Sequence, residues 1–271
     1  MLFRSIRRRF GIPYVVTEHW GIYQEQSGDR FSKRSMLFQK LTKYAYSGAS
    51  LSISVSEFQA KSLNKYFSSL SYQVVPNVVD IKQFKFVDKN NSVFRFIHVS
   101  DWSHNKNPEG ILRAYNKLIH SCSATELVLI GGKGENYDRI HQLVDRFPDS
   151  IEIIGEVSYP KVGELMRNAD CLLLFSSMEN SPCVIGEALC SGLQVVASDV
   201  GGVSELVDPE CCQLVPAGDE ESLFRAMINS IKRSSELDRF AISQRAQLQF
   251  SYEVVGRKIF ETYLKIGRAH V

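Results

Sequence analysis

Short runs that are apolar on successive residues, rather than on every second one, constrain this chain most. CLLLF at residues 171–175 and LVLI at residues 127–130 are the clearest cases. Strands of that kind are buried on both faces, as in a parallel sheet covered by helices on each side. Further short runs at residues 14–17, 52–55, 94–99, 151–154, 195–197 and 213–215 also read as strands. The stretches between them carry helical spacing, as in Ile111, Leu112, Tyr115, Leu118 and Ile119. This βαβα alternation predicts an α/β fold of Rossmann-like topology.

The pattern is uneven along the chain. Pro76-Asn77 and the polar DKNNS segment at residues 88–92 mark a boundary before a fresh strand. From there to residue 230 roughly six strand–helix units follow, enough for a complete Rossmann-like domain. The part before it offers two strands, which cannot bury a helix layer on each face. The expected organisation is therefore a partial N-terminal Rossmann-like domain at 1–86, truncated at its start, and a complete C-terminal one at 87–250. A helix at 251–265 follows. Residues 266–271 (IGRAHV) resemble the translation of a common sequencing adapter and are read as a non-native tail.

Composition mostly excludes. Lys and Arg number 32 against 30 Asp and Glu, so the net charge of +2 gives no field that argues for nucleic acid. No run approaches the ~18 apolar residues of a membrane helix. The basic start, with Arg4, Arg7, Arg8 and Arg9, has no apolar stretch behind it and is not a secretory signal. It reads as a solvated helix face, with contact to anionic lipid as the other option. A second basic stretch, Arg30, Lys33, Arg34, Lys40 and Lys43, alternates with Phe31, Leu37, Phe38 and Leu41; it reads as core on one side and water on the other, with acceptor or membrane contact as the lesser option. Six cysteines without a CxxC pair read as reduced thiols of a cytoplasmic protein.

Chemistry concentrates at residues 171–192 (CLLLFSSMENSPCVIGEALCSG). A buried strand ends at Phe175, and a helix is expected to begin with Ser181 as its cap and Pro182 at its first position. Gly192 ends that helix. The amides of Cys183 and Val184 would then face out of a helix amino end, at the carboxyl edge of a sheet, where anions bind. Glu179 and Glu187 flank this place. Two acids beside an anion site suit a ligand that brings hydroxyls as well as phosphate, as a nucleotide sugar does. The plainer reading is that Glu179 caps locally and Glu187 faces water.

Glu179 and Glu187, with seven residues between them, are followed by Ala188, Gly192, Val195, Val196 and the GGVSE stretch at residues 201–205. This resembles the signature of retaining glycosyltransferase family four, of GT-B architecture. Other segments are similar in order and spacing. TEHWGIY at 17–23 resembles the family's histidine loop, and VPNVVD at 75–80, on to Phe84, its interdomain turn. VSDWSHNKN at 99–107 resembles the phosphate-binding loop with its lysine, while LIGGKG at 129–134 and IIGEV at 153–157 resemble the next two loops. The final helix resembles the one that returns to the N-terminal domain.

The resemblance implies roles. Glu187 would hold the ribose hydroxyls and Glu179 the transferred sugar. Lys106 would neutralise the leaving diphosphate, together with amides around Ser181, Cys183 and Val184 and the loop at Ser100 and Asp101. Backbone near Glu156 and Val157 would meet the base, and His19 would reach the sugar from the opposite domain. Asp101 stands where the family often has Arg, and Pro182 replaces a common Gly. His98 and His104 read as structural or surface groups.

No Asp-x-Asp occurs, so a metal clamp lacks ligands, and no cofactor is expected beyond the nucleotide-diphosphate sugar as co-substrate. The expected partners are that donor and a glycan or lipid-linked acceptor, with peripheral contact at the inner membrane face. The expected function is a metal-independent retaining glycosyl transfer. A non-catalytic nucleotide-sugar-binding module and another GT-B enzyme, such as a nucleotide-sugar epimerase, are the alternatives.

Overall fold

The computed structural model describes residues 2–268 except 26, 69, 90, 91, 123, 133, 135 and 146–149. A small parallel sheet holds β1 (Val15–Glu18), β2 (Leu51–Ser54) and β3 (Tyr72–Val74), in that order. A large parallel sheet holds β4 (Phe94–Ser100), β5 (Thr125–Gly131), β6 (Ile151–Ile154), β7 (Cys171–Leu174), β8 (Gln194–Ser198) and β9 (Cys212–Val215). Its order is β6-β5-β4-β7-β8-β9, the doubly wound arrangement that reverses direction between β4 and β7. The helices are α1 (Leu2–Phe10), α2 (Met36–Tyr46), α3 (Glu57–Asn64), α4 (Pro108–Ile119) and α5 (Tyr137–Val144). They continue with α6 (Tyr159–Arg167), α7 (Cys183–Cys190), α8 (Glu220–Arg233), α9 (Arg239–Phe250) and α10 (Tyr252–Arg268).

The eight expected strands are all present. β3 is an addition, so the first part of the chain holds three strands and not two. Tyr72, Gln73 and Val74 are each only half-buried and include a polar residue, so no apolar run marks them. The expected tail divides: residues 266–268 complete α10, and 269–271 lie outside the described residues.

Successive residues of the central strands supply opposite cores. Leu172, Leu174, Val195 and Ala197 pack with Ile185 and Ala188 of α7 and Ile242 and Ala246 of α9. Leu173, Val196, Leu127 and Leu129 pack on the other face with Ile111, Leu112 and Tyr115 of α4 and Leu223 and Met227 of α8. The doubly apolar runs follow from these two covers.

The small sheet has its own cores. Tyr23, Phe31, Tyr46 and Phe67 cluster on one side, with Tyr46 and Phe67 stacked at 4.1 Å. On the other side Ile53 and Val75 pack with Val255 of α10, and Thr262 donates to Gln73 Oε1 at 2.8 Å. In α2 Phe38 packs inward while Leu37 and Leu41 are 67% and 38% exposed, so these two leucines are not core. They lie four residues apart on a neighbouring face of the helix.

The chain passes between the sheets twice, side by side. Val75 lies in the small core and Val79 in the large one; Phe250 lies in the large core and Val255 in the small one. Val79 N donates to Phe250 O at 2.8 Å, and Val79 pairs with Ser251 in a parallel bridge.

One helix start differs from expectation. Pro182, with φ −68° and ψ 118°, is the cap of α7, and no side chain caps it. Ser181 lies one residue further out, where its carbonyl accepts from Asn77 Nδ2 at 2.9 Å. Gly192 follows the helix at φ +77°, as expected. Among the described residues no helix is long and apolar enough to cross a membrane.

Candidate functional site

The carboxyl ends of β4 and β7, where the large sheet reverses direction, carry two loops that are latched together. Ser177 N donates to Asn105 O, Asn105 Nδ2 to Met178 O and Ser177 Oγ to Asn105 Oδ1, each at 2.8 Å. Across this latch Lys106 Nζ meets Glu179 Oε1 at 2.6 Å, and Ser176 Oγ donates to the same oxygen at 2.6 Å. Glu179 is buried and Lys106 half-buried, so the pair sits at the floor of the site. The expected sugar-side acid and phosphate-side cation thus contact each other directly.

His98 braces the floor from inside. It is fully buried, with Nδ1 at 2.9 Å from Leu173 O and Nε2 at 2.7 Å from Ser100 Oγ. Leu173 O can only accept, which assigns the proton to Nδ1 and lets Ser100 donate to Nε2. Burial pushes the imidazole pKa down to about 4, so the ring is neutral. It joins β4 to β7 at the point where they part. Ser100 Oγ also accepts from Trp102 N at 3.1 Å, and Asp101 Oδ1 accepts from Ser103 N at 3.1 Å. Both residues, expected to touch the donor, shape their own loop.

The amino end of α7 faces the same place. Cys183 and Val184 are its first residues, and amides at that position lack an intrahelical acceptor. Desolvation, then the Glu187 carboxylate, raises the Cys183 thiol pKa, with Glu179 adding and Lys106 opposing, so all four groups share one field. Glu187 is 8% exposed and accepts from Tyr159 OH at 2.8 Å. Burial raises its carboxyl pKa, and the tyrosine bond works against that rise. Glu187 therefore does not face open water. Glu156 is exposed and Val157 half-buried in the loop after β6, just before α6 and Tyr159.

The small sheet turns its carboxyl ends toward this loop. His19, at the end of β1, contributes its carbonyl, which accepts from Asn180 Nδ2 at 3.1 Å. Asn180 Oδ1 accepts from Ser56 Oγ at 3.2 Å, and Gln24 Nε2 donates to Glu179 O at 3.4 Å. Asn180, Gln24, Ser176 and Tyr159 escaped the sequence reading. Asn180 and Ser176 lie inside the segment already singled out, whereas Gln24 and Tyr159 come close only through folding. Among the described residues no three His, Cys, Asp or Glu side chains group so as to hold a metal ion.

The sequence model described as "Glycosyl transferases group 1" matches residues 93–233, just over half of the 271-residue chain. The chain is 23% identical over 206 residues to the phosphatidylinositol N-acetylglucosaminyltransferase GPI3 subunit of Saccharomyces cerevisiae, covering 72% of this chain and 45% of that one. It is 26% identical over 168 residues to the N-acetyl-alpha-D-glucosaminyl L-malate synthase of Bacillus anthracis, covering 62% and 43%. The chain thus spans less than half the length of these two curated relatives. Among solved structures it is similar to sucrose-phosphate synthase from Thermosynechococcus elongatus, with a TM-score of 0.82, 21% identity, and coverage of 98% of this chain and 70% of that one. It is also similar to Anabaena HepE in complex with UDP, with a TM-score of 0.79, 20% identity, and coverage of 97% and 75%. The fold is the GT-B α/β architecture of these two structures.

Proposed function

The chain belongs to the glycosyl transferases group 1, and on that premise we propose that it transfers a sugar from a nucleotide-diphosphate sugar to a glycan or lipid-linked acceptor. In this reading the reaction retains anomeric configuration, uses no metal ion or cofactor, and places the chain in family four through Glu179 and Glu187. The observation that carries the proposal is the Lys106–Glu179 pair at the amino end of α7, with buried Glu187 about one turn into that helix.

Transfer builds positive charge on the sugar and negative charge on the departing diphosphate. In this reading Lys106, once turned from Glu179, and the first amides of α7 meet that negative charge. As Lys106 turns to the diphosphate, Glu179 is freed to accept from sugar hydroxyls. Glu187, oriented by Tyr159, accepts from the ribose diol, and backbone at Glu156 and Val157 lies against the base. His19 approaches the sugar from the small sheet. No covalent nucleophile is assigned; for a retaining transfer of this kind, departure and attack would occur on the same face.

Residues 1–86 would carry the acceptor side and 87–250 the donor side. The yeast relative's name includes phosphatidylinositol. A basic, partly apolar surface fits a lipid-linked acceptor at the inner membrane face: exposed Arg8 and Arg9 lie on α1 beside exposed Phe3 and Phe10.

Calorimetry and steady-state kinetics on the full chain test the reading. Glu187→Ala is expected to weaken nucleoside-diphosphate binding by about tenfold or more, since bonds to a charged acceptor are lost. Lys106→Ala is expected to cut turnover by about a hundredfold with a smaller change in donor affinity. Unchanged binding in the first variant removes the ribose role. A second reading, a binding module without turnover, is favoured by Asp101 standing in place of a cation; absence of donor hydrolysis and transfer by a chain that binds donor would establish it.

A further inference from the structure

Glu205 closes the GGVSE stretch, yet no step above uses it. It lies on a single helical turn, Val203–Glu205, after β8, and its carboxylate reaches across to the small sheet's α3. Oε2 accepts from Glu57 N at 2.6 Å and Oε1 from Phe58 N at 2.7 Å. These are the first two amides of α3, which have no carbonyl partner inside the helix. An anion at that end is further favoured by the helix dipole. Ser56, the cap of α3, accepts from Gln59 N at 3.1 Å and donates to Asn180 Oδ1.

The same stretch also presses on the site loop. Gly201 has φ +59°, and a Cβ added there would lie 1.8 Å from Glu179 O. At Gly202 an added Cβ would lie 2.2 Å from Asn180 O and 2.9 Å from Ser56 Oγ. One turn therefore touches the cap of α3, its amides, and the backbone of the acid that faces Lys106. Glu187 and Tyr159, by contrast, both stand on helices of the large sheet.

We propose that Glu205 is a positioning residue for sugar transfer: by gripping the amino end of α3 it holds the small sheet against residues 179–181 and so keeps Glu179 in register with Lys106. The inference rests on the transferase reading of the site. Without the carboxylate, Asn180 loses the fixed positions of Ser56 and His19, and the loop carrying Glu179 gains freedom. The nucleotide end, held by Glu187 and α7, keeps its grip.

The experiment compares the full chain with Glu205→Ala and Glu205→Gln. Glu205→Ala is expected to lower kcat about tenfold, the worth of a bond between a charged acceptor and backbone amides. Donor KM and the nucleoside-diphosphate Kd should stay within about twofold, because loss confined to turnover marks an interaction that serves the transition state. Glu205→Gln keeps one acceptor oxygen and should fall between. Hydrogen exchange gives a readout independent of activity: amides at 57–58 and at 179–181 should speed up together in Glu205→Ala. A lower Tm with unchanged kcat, or faster exchange confined to α3, overturns the proposal. If the unmodified chain neither binds nucleoside diphosphate nor transfers sugar, the transferase reading fails instead, and the exchange pair still decides whether Glu205 seats the loop.

Discussion

His98 is buried, uncharged and bonded at both nitrogens, which ties the site floor to solution pH. Its pKa of about 4 lies below the 6.5 of an unfolded histidine, so the unfolded chain binds a proton first as pH falls. Its contribution to stability is complete above pH 6.5 and drains away between 6.5 and 4. Over that window the loss approaches about 3 kcal/mol, at 1.36 kcal/mol per unit. Urea denaturation at several pH values should show this slope in the parent chain and a flatter one in His98→Gln, which cannot titrate; equal slopes would refute the assignment. At this scale the sequence singled out two acids by their spacing but not what they touch. Glu179 and Glu187 stand out by spacing, whereas the partners Lys106 and Tyr159 lie 73 and 28 residues away along the chain. Pairing across such separations is a product of the sheet order, which no local pattern encodes.

Loops joined through glycine decide how closely the elements approach. Gly131 (φ +112°) leaves no room for a side chain, since an added Cβ would lie 1.9 Å from Ser100 O. Gly201 is equally confined against Glu179 O, and its positive φ disfavours any other residue. Gly201→Ala is therefore expected to cost about 1–3 kcal/mol in strain and displaced backbone. It should also weaken turnover by shifting Glu179; a thermal melt and a transfer assay on one preparation check both, and a melt unchanged within error would contradict the close approach. The strands were legible because two helical covers demand apolar residues on both faces. β3 was not, because its half-buried, mixed residues meet one cover and one edge. The start of α7 was misplaced by one residue because the Asn77 bond to Ser181 O comes from distant sequence.

At the scale of the whole molecule, two sheets with separate cores share α10 and a narrow junction. Val255 is 4% exposed between Ile53 and Val75. Val255→Asp would bury an unpaired charge there, at a cost of several kcal/mol. The expected outcome is that urea unfolding separates into two steps, the small sheet first, while the large sheet keeps its midpoint; one common shift of both would argue for a single cooperative unit.

The paired crossings at Val79 and Ser251 have a mechanical corollary. Stitched by the Val79–Phe250 bond, they tie the two sheets together at one place rather than as two separate tethers. Sideways sliding of one sheet past the other would have to break that bond.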